Sequence, residues 1–105
     1  MIKITFRPDD FDVVVDGHAD FAEKGNDIVC SAVSTLFYTL GQTLMESREM
    51  LSEDVIFEDK DGKGHLKCVP KSEFVGNIAR SFLTIMQGFL LVAGNYPDNV
   101  KVFLK

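Results

Sequence analysis

A histidine and a cysteine lie close together near the start of the sequence, in the segment GHADFAEKGNDIVCSAV, residues 17–33. Eleven residues separate His18 from Cys30. An imidazole titrates near neutral pH and can take a proton from a thiol, and the resulting thiolate is a strong nucleophile. The pair predicts one of two things: a nucleophile with its general base, or a turn histidine beside a core cysteine.

The residues around Cys30 favour a thiolate. Asp27 is a good helix N-cap, which makes Cys30 the third residue of the helix that follows. First-turn amides without helical partners, and the positive end of the helix dipole, both stabilise negative charge on sulfur. The Asp27 carboxylate acts in the opposite sense unless its hydrogen bonds are used on the cap or on His18. Ser34 lies one turn after Cys30 on the same helix face.

The same residues also permit a structural interpretation. Free cysteine is among the most buried residue types, and Val29 and Val33 surround Cys30 in the helical pattern. Gly17 and Gly25 bound a loop over residues 18–26, which can bring His18 onto Cys30 or hold it away. Asp27 then only caps the helix, and Ser34 is an ordinary helix serine. The residue pattern alone leaves both interpretations open.

A second histidine and cysteine, His65 and Cys68, raise the question of a metal site. Two histidines and two cysteines suit structural zinc, but residues three apart on a predicted strand point to opposite faces. A redox pair of Cys30 with Cys68 lacks the CxxC spacing. The sequence therefore predicts no metal and no cofactor, and it assigns Cys68 to the core.

The periodicity of the apolar residues predicts seven elements in one domain over residues 1–105. Alternation predicts strands at 2–7 and 11–17, and a helical stripe follows from Ile28 to about Leu51, with Gly41 packed closely inside it. A hairpin with Asp61-Gly62 as its turn, a helix from Ser72 to about Asn95 and a last strand at 99–105 complete the chain. The order ββαββαβ predicts an α+β fold, a five-stranded mixed sheet with two long helices packed on it.

Composition excludes several classes of protein. The chain has 105 residues, is 46% hydrophobic and 26% charged, and carries a net charge of -5 from 16 acidic and 11 basic residues. This net negative charge argues against a direct nucleic-acid partner. The longest apolar run, 82–94, is interrupted by Gln87 and is too short to span a bilayer, and the N-terminus lacks a signal-peptide core. We therefore expect a cytoplasmic protein with reduced cysteines and no membrane partner.

The His18–Cys30 segment resembles the signature of the ribosomal-processing cysteine protease (Prp) family of bacteria. Its hallmark is a Gly-His-Ala turn, a glycine shortly before Asp-Ile-Val-Cys, and small residues through a nearby serine. The opening IKITF and the closing YPDNVKV are also similar to family features. Ser31 stands where alanine is common. The matching residues are Gly17, His18, Ala19, Gly25, Asp27, Ile28, Val29, Cys30, Ala32, Val33 and Ser34.

The resemblance implies a cysteine endopeptidase with Cys30 as nucleophile and His18 as general base, supported by Asp27 and Ser34. Gly17 and Gly25 would act as loop hinges, on the hypothesis that the 17–26 loop is mobile and that substrate draws His18 onto Cys30. First-turn amides, including that of Cys30, would form the oxyanion hole.

The implied protein is a cytoplasmic α+β homodimer that removes the short N-terminal extension of a large-ribosomal-subunit protein, cutting after a Phe-rich stretch. A basic ribosomal substrate would suit the negative charge. The alternatives are a ribosome-assembly binding module that does not cut, and a thiol redox protein.

Overall fold

Five strands and two helices follow one another in the predicted order ββαββαβ, which confirms the α+β class. The structure, a computed structural model, describes residues 1–23 and 25–105. The predicted loop over 18–26 includes Lys24, which lies outside the described residues. The elements are β1 Ile2–Arg7, β2 Asp12–Gly17, α1 Ile28–Glu46, β3 Ile56–Lys60, β4 Lys63–Lys67, α2 Val75–Asn95 and β5 Val100–Leu104.

The strands form one mixed sheet in the order β3-β4-β2-β1-β5. All neighbouring pairs are antiparallel except β1 and β5, which run parallel. On β1 the side chains of Ile2, Ile4 and Phe6 are buried on one face, because successive side chains in a strand alternate. This face is covered by the helices, and the other face of the sheet is open.

Each helix buries a single stripe against the covered face. The Phe6 ring of β1 meets the Phe89 ring of α2 edge to face, with centroids 5.7 Å apart. Gly41 of α1 packs so closely on Phe57 that an added Cβ would lie 2.4 Å from the ring, which confirms the predicted close packing. The buried helix residues are Val29, Val33, Phe37, Leu40, Gly41 and Leu44 on α1, and Ile78, Phe82, Ile85 and Phe89 on α2.

The helices are longer than the apolar runs that the sequence suggested. Both α1 and the segment Ser72–Asn95 are long and apolar enough to span a membrane by length and composition alone. The apolar run at 82–94 is only part of the longer segment Ser72–Asn95, so its own length does not exclude a membrane span. In this fold both helices place their buried stripes in the core beside the sheet.

Two helix boundaries differ from the prediction. The first helix ends at Glu46 rather than near Leu51, because Ser47 leaves the helical conformation and a short 3-10 turn, Arg48–Met50, follows. Leu51 is still buried, but from an extended segment. The second helix begins at Val75, after a 3-10 turn at Ser72–Phe74, and Ser72 does not cap it through its side chain.

The turn between β3 and β4 lies at the end of β2. Asp61 and Gly62 both have positive φ angles, of 52° and 76°, which suits a two-residue hairpin turn. The Gly62 carbonyl accepts a hydrogen bond of 2.9 Å from the Gly17 amide. The hairpin turn is therefore fixed beside the residue that precedes His18.

Candidate active site

Asp27 caps α1 and also fixes the chain that leads into it. Its Oδ1 accepts hydrogen bonds from the amides of Val29 at 3.0 Å and Cys30 at 2.9 Å, which confirms the predicted N-cap. Its Oδ2 accepts from the amides of Phe21 at 3.0 Å and Ala22 at 3.3 Å. The hydrogen bond from the Cys30 amide, with the other three, lowers the pKa of this buried carboxyl against the opposing effect of burial.

Cys30 is the third residue of α1 and is partly buried. Its sulfur accepts a hydrogen bond of 3.4 Å from the amide of the buried residue Ala19. Its own amide donates to Asp27, so the prediction that the Cys30 amide contributes to an oxyanion hole is wrong for this arrangement. The amide directed at the sulfur comes from the residue after His18, and sequence spacing gave no sign of it.

His18 is exposed and lies over the hairpin turn. A Cβ added to Gly62 would be 2.9 Å from its Nε2, so a larger residue at this position would require the imidazole to shift. Gly17, immediately before His18, has a φ of 105°, and a Cβ on it would lie 2.4 Å from the Met1 carbonyl oxygen. Gly62 therefore borders the imidazole, and Gly17 sets the backbone that leads into it.

His18 and Cys30 border the same space without bonding each other. Two cavities meet at His18, Cys30 and Ser34. Within the described part of the chain, the imidazole and the sulfur form no hydrogen bond. The fold therefore brings the two predicted residues to one site without a hydrogen bond between them.

The first cavity, of about 280 Å³, lies on the hairpin side of Cys30, and we call it the hairpin-side cavity. Apolar side chains make up much of its wall, and Tyr38 and Asp59 add polar groups at the wall. The residues lining it are Ile2, Val15, Gly17, His18, Cys30, Val33, Ser34, Phe37, Tyr38, Asp59, Gly62 and Gly64.

The second cavity, of about 540 Å³, lies on the side of the loop before α1, and we call it the loop-side cavity. Asp20, Asp27 and Gly25 contribute to its wall together with the three shared residues. The two cavities form a groove that passes Cys30 on both sides. The Cys30 sulfur therefore lies at the wall that the two cavities share.

Comparison with known proteins identifies the family. The sequence profile of the family described as Cysteine protease Prp matches residues 1–101. The chain belongs to the Prp family of cysteine proteases. This confirms the family resemblance of the His18–Cys30 segment and the predicted class of enzyme, a cysteine-type peptidase.

Relatives of this Prp-family chain include proteins with solved structures. The ribosomal processing cysteine protease Prp of Staphylococcus aureus is 26% identical over 96 residues, covering 90% of this chain and 86% of that protein. A crystal structure of S. aureus Prp with a covalently linked product peptide gives a TM-score of 0.78 at 24% identity, covering 99% of this chain and 97% of that chain. The crystal structure of SMU.848 from Streptococcus mutans gives a TM-score of 0.73 at 28% identity, covering 99% of this chain and 93% of that chain.

Tyr38 and Asp59 form a polar bridge that sequence reasoning missed in this Prp-family chain. The Tyr38 hydroxyl donates a hydrogen bond to the Asp59 carboxylate, which joins α1 to β3 at the hairpin-side cavity. That hydrogen bond, with burial and the charge of Asp59, raises the pKa of the Tyr38 phenol. The sequence carried one signal for Tyr38. Cys30, Ser34 and Tyr38 follow one another at intervals of four residues, which places all three on one face of the helix.

The second histidine and cysteine lie away from the groove. Cys68 is buried in the core as predicted, and burial raises the pKa of its thiol to about 11. His65 Nε2 is 2.8 Å from Asp12 Oδ1. Across residues 1–23 and 25–105, no group of three or more histidine, cysteine or acidic residues is arranged to hold a metal ion.

Proposed function

We propose that this peptidase removes the short N-terminal extension of a large-ribosomal-subunit protein during ribosome maturation. The observation that carries the proposal is the groove whose two arms meet at His18 and Cys30. The S. aureus relative is named for ribosomal processing, and a structure of it is described with a substrate peptide. Asp20 and Asp59 border the groove, and their carboxylates suit a basic ribosomal substrate.

The proposed chemistry is acyl transfer through Cys30. The thiolate attacks the scissile carbonyl carbon, a carbon–sulfur bond forms, and the carbonyl oxygen becomes an oxyanion. The imidazolium of His18 protonates the leaving amine as the carbon–nitrogen bond breaks, which leaves a thioester. His18 then takes a proton from water, whose oxygen attacks the thioester carbon, and the thiolate departs.

The amide of Ala19 is our candidate for stabilising charge in this reaction. It donates to the Cys30 sulfur, whereas the Cys30 amide is already used by Asp27. A backbone amide held in place in this way stabilises a thiolate and lies close to a developing oxyanion. Ala19 directly follows His18, so one short stretch of chain supplies both the base and the donor.

His18 must approach Cys30 for proton transfer, since the two form no hydrogen bond in the described structure. We propose that peptide entering the groove draws the imidazole toward the sulfur, with Gly17 and Gly25 as the hinges. Asp27 holds the helix start in register through its four amide hydrogen bonds. The exposed Ser34, on the wall that both cavities share, is assigned to hydrogen-bond the peptide.

The proposed protein is a homodimer that works in the bacterial cytoplasm without a cofactor. Exposed apolar side chains on α2 support the dimer: Leu83, Leu90 and Leu91 are 41%, 40% and 68% exposed. Their burial against a second copy would remove apolar surface from water. Light scattering after gel filtration measures the molar mass in solution. The mass of a monomer would contradict the proposed dimer.

A peptide assay tests the substrate. The extension peptide of the ribosomal protein, and a scrambled peptide of the same composition, are each mixed with the protein and followed by mass spectrometry. We expect a single cut in the native peptide, after its aromatic stretch, and none in the scrambled one. Equal cutting of both peptides would contradict the substrate assignment. Tight binding of a native peptide that stays intact would favour the non-cutting binding module instead.

A further inference from the structure

We propose that the open face of the sheet, opposite the helices, binds single-stranded RNA. This function goes beyond peptide cleavage and rests on a different surface. The open face is defined by the side chains that alternate with the buried ones along the five strands. They are Lys3, Thr5, Arg7, Asp12, Val14, Asp16, Ile56, Glu58, Lys60, Lys63, His65, Lys67, Lys101 and Phe103, with Lys105 just beyond β5.

Basic residues are concentrated on this face although the chain is acidic. Of its 11 lysines and arginines, six lie on the strands of the open face and a seventh is Lys105, whereas only three of its 16 acidic residues, Asp12, Asp16 and Glu58, lie there. The rest of the molecule carries the remaining acidic residues, including Asp20 and Asp59 at the groove. The net charge of -5 therefore conceals two surfaces of opposite sign.

One row across the open face is made largely of lysines. In register across the strands it contains Lys60, Lys63, Asp16, Lys3 and Lys101. Lys60 is directly opposite Lys63, and Lys3 is directly opposite Lys101. Like charges directly opposite on neighbouring strands destabilise a sheet. Within the described residues, none of these lysines makes an ion pair. A bound polyanion would remove the repulsion.

The central row of the open face favours RNA as the polyanion. Phe103 is 38% exposed on β5 between Lys101 and Lys105, and its row continues across Thr5, Val14 and His65 to Glu58 at the far edge of the sheet. An exposed aromatic ring on a sheet, flanked by lysines, lets a base stack while phosphates meet the cations. Asp12 is already bonded to His65, so its carboxylate opposes a phosphate less strongly.

Other occupants fit the open face less well. A second copy would place basic residues against basic residues, which costs energy at an interface. An anionic membrane would need a broad apolar patch for insertion, whereas the apolar side chains here, Val14, Ile56 and Phe103, are scattered among lysines. Single-stranded RNA combines the charge and the base planes that these rows can contact.

The lysine row lies at the same end of the sheet as the active site. Lys60 and Lys63 flank the turn whose Gly62 supports His18, and Lys3 is next to Ile2, which lines the hairpin-side cavity. RNA on the open face would therefore approach the edge of the groove from behind the sheet. The net charge alone predicts no nucleic-acid partner, whereas the strand order places the basic residues together on one face.

Fluorescence anisotropy with a labelled oligouridine of about 12 nucleotides tests the proposal. The wild type is titrated between about 50 and 200 mM salt, and binding should weaken as salt rises. The triple variant Lys3→Gln, Lys63→Gln, Lys101→Gln should reduce the slope of log K against log salt by about 2, at roughly 0.7 per phosphate contact. Phe103→Ala should raise Kd by about tenfold through lost stacking, and Phe103→Tyr should not.

A matched control removes the same charge elsewhere. This control is the triple variant Arg48→Gln, Lys71→Gln, Arg80→Gln. The three residues lie off the open face, so the variant should leave the salt slope unchanged. The proposal would be overturned if the wild type did not bind the oligouridine at the lowest salt. It would also be overturned if the two triple variants reduced the salt slope equally. Stronger binding to phosphatidylglycerol vesicles or to polyglutamate than to the oligouridine would also overturn it. Peptide cleavage is measured on the same samples, so a failure of RNA binding is separate from a failure of the peptidase.

Discussion

The Asp27 carboxylate accepts the Cys30 amide at 2.9 Å on one oxygen while its other oxygen holds the chain that follows His18. A single buried side chain thus joins the helix turn carrying the proposed nucleophile to the loop carrying the proposed base. Four amide hydrogen bonds stabilise its negative charge, so it disfavours a nearby thiolate less than a free carboxylate would. Asp27 is therefore best described as a positioning residue.

Substitutions at Asp27 should separate its two roles. Asparagine caps helices about as well as aspartate, but a single carbonyl oxygen cannot serve both the helix and the loop. Asp27→Asn should lower the thermal midpoint less than Asp27→Ala does, because asparagine keeps the cap, and should lower kcat for the extension peptide by about tenfold. Asp27→Ala should lower the midpoint by several degrees as well as kcat. Calorimetry and peptide turnover measure the two effects.

Equal loss of stability in both Asp27 variants would contradict this division of roles. Full activity of Asp27→Asn would show that the bonds to Phe21 and Ala22 do not position the site. Asn26→Ala is a suitable neighbouring control, because no side-chain hydrogen bond from Asn26 occurs within the described residues. It should change neither the midpoint nor turnover.

Acid should destabilise the protein in part through Asp27. Its pKa in the folded state is lowered from 3.8, so the unfolded state binds the proton more readily. The stabilisation is fully present above 3.8 and is lost as pH falls through the lowered folded value. Urea unfolding of the wild type should therefore show a free energy of unfolding that falls as the pH drops below about 3.8, and a smaller fall in Asp27→Asn. Parallel curves for the two proteins would contradict the role given to this carboxyl.

The hairpin turn should control His18. Gly62→Ala places a methyl group 2.9 Å from Nε2, so the imidazole must move. The positive φ of Gly62 adds a backbone cost of about 1 kcal/mol. We expect kcat/KM to fall at least about tenfold and the His18 ring signals to shift in NMR spectra. Gly76→Ala, which meets nothing within 4 Å, is the control and should leave both readouts unchanged.

Unchanged peptide turnover in Gly62→Ala would show that the His18 position over the turn is unimportant. A loss of turnover with unshifted His18 signals would assign the effect to backbone strain instead. The two readouts together therefore decide between crowding of the imidazole and distortion of the hairpin.

The Tyr38–Asp59 bridge should affect peptide binding more than chemistry. Tyr38→Phe removes the hydroxyl and keeps the ring, so KM should rise several-fold with little change in kcat. Asp59→Asn should bring phenol ionisation in an ultraviolet titration back toward pH 10, because the hydrogen bond from Tyr38 to Asp59 is the main cause of its raised pKa. Thr39→Ala changes the neighbouring exposed residue of α1 and serves as a control that should leave KM and kcat unchanged. A fall in kcat with unchanged KM would contradict a binding role.

Local signals in the sequence were sufficient for the elements and for part of the site. Alternation placed β1, the Asp61-Gly62 dipeptide placed the hairpin turn, and the N-cap at Asp27 fixed Cys30 at the third helical position. These features depend on residues a few positions apart. For that reason short-range patterns predict them well.

Features that depend on distant residues could not be predicted. Tyr38 and Asp59 meet only because α1 packs beside the hairpin, and the basic open face requires the strand order β3-β4-β2-β1-β5. The role of the Cys30 amide was mispredicted although the N-cap was not, because the capping oxygen of Asp27 accepts the Cys30 amide itself. Whether His18 and Cys30 form a hydrogen bond likewise depends on how the loop folds and not on their spacing in the sequence.

Turnover of the extension peptide by four single variants tests the central claim, that Cys30 and His18 are the nucleophile and the base. The other cysteine and the other histidine serve as matched controls. Burial in the core raises the pKa of the Cys68 thiol to about 11, and His65 is hydrogen-bonded to Asp12. We predict that Cys30→Ala and His18→Ala each lower kcat/KM by about a thousandfold or more, whereas Cys68→Ala and His65→Ala retain most activity. Cleavage by Cys30→Ala at the wild-type rate would contradict the account.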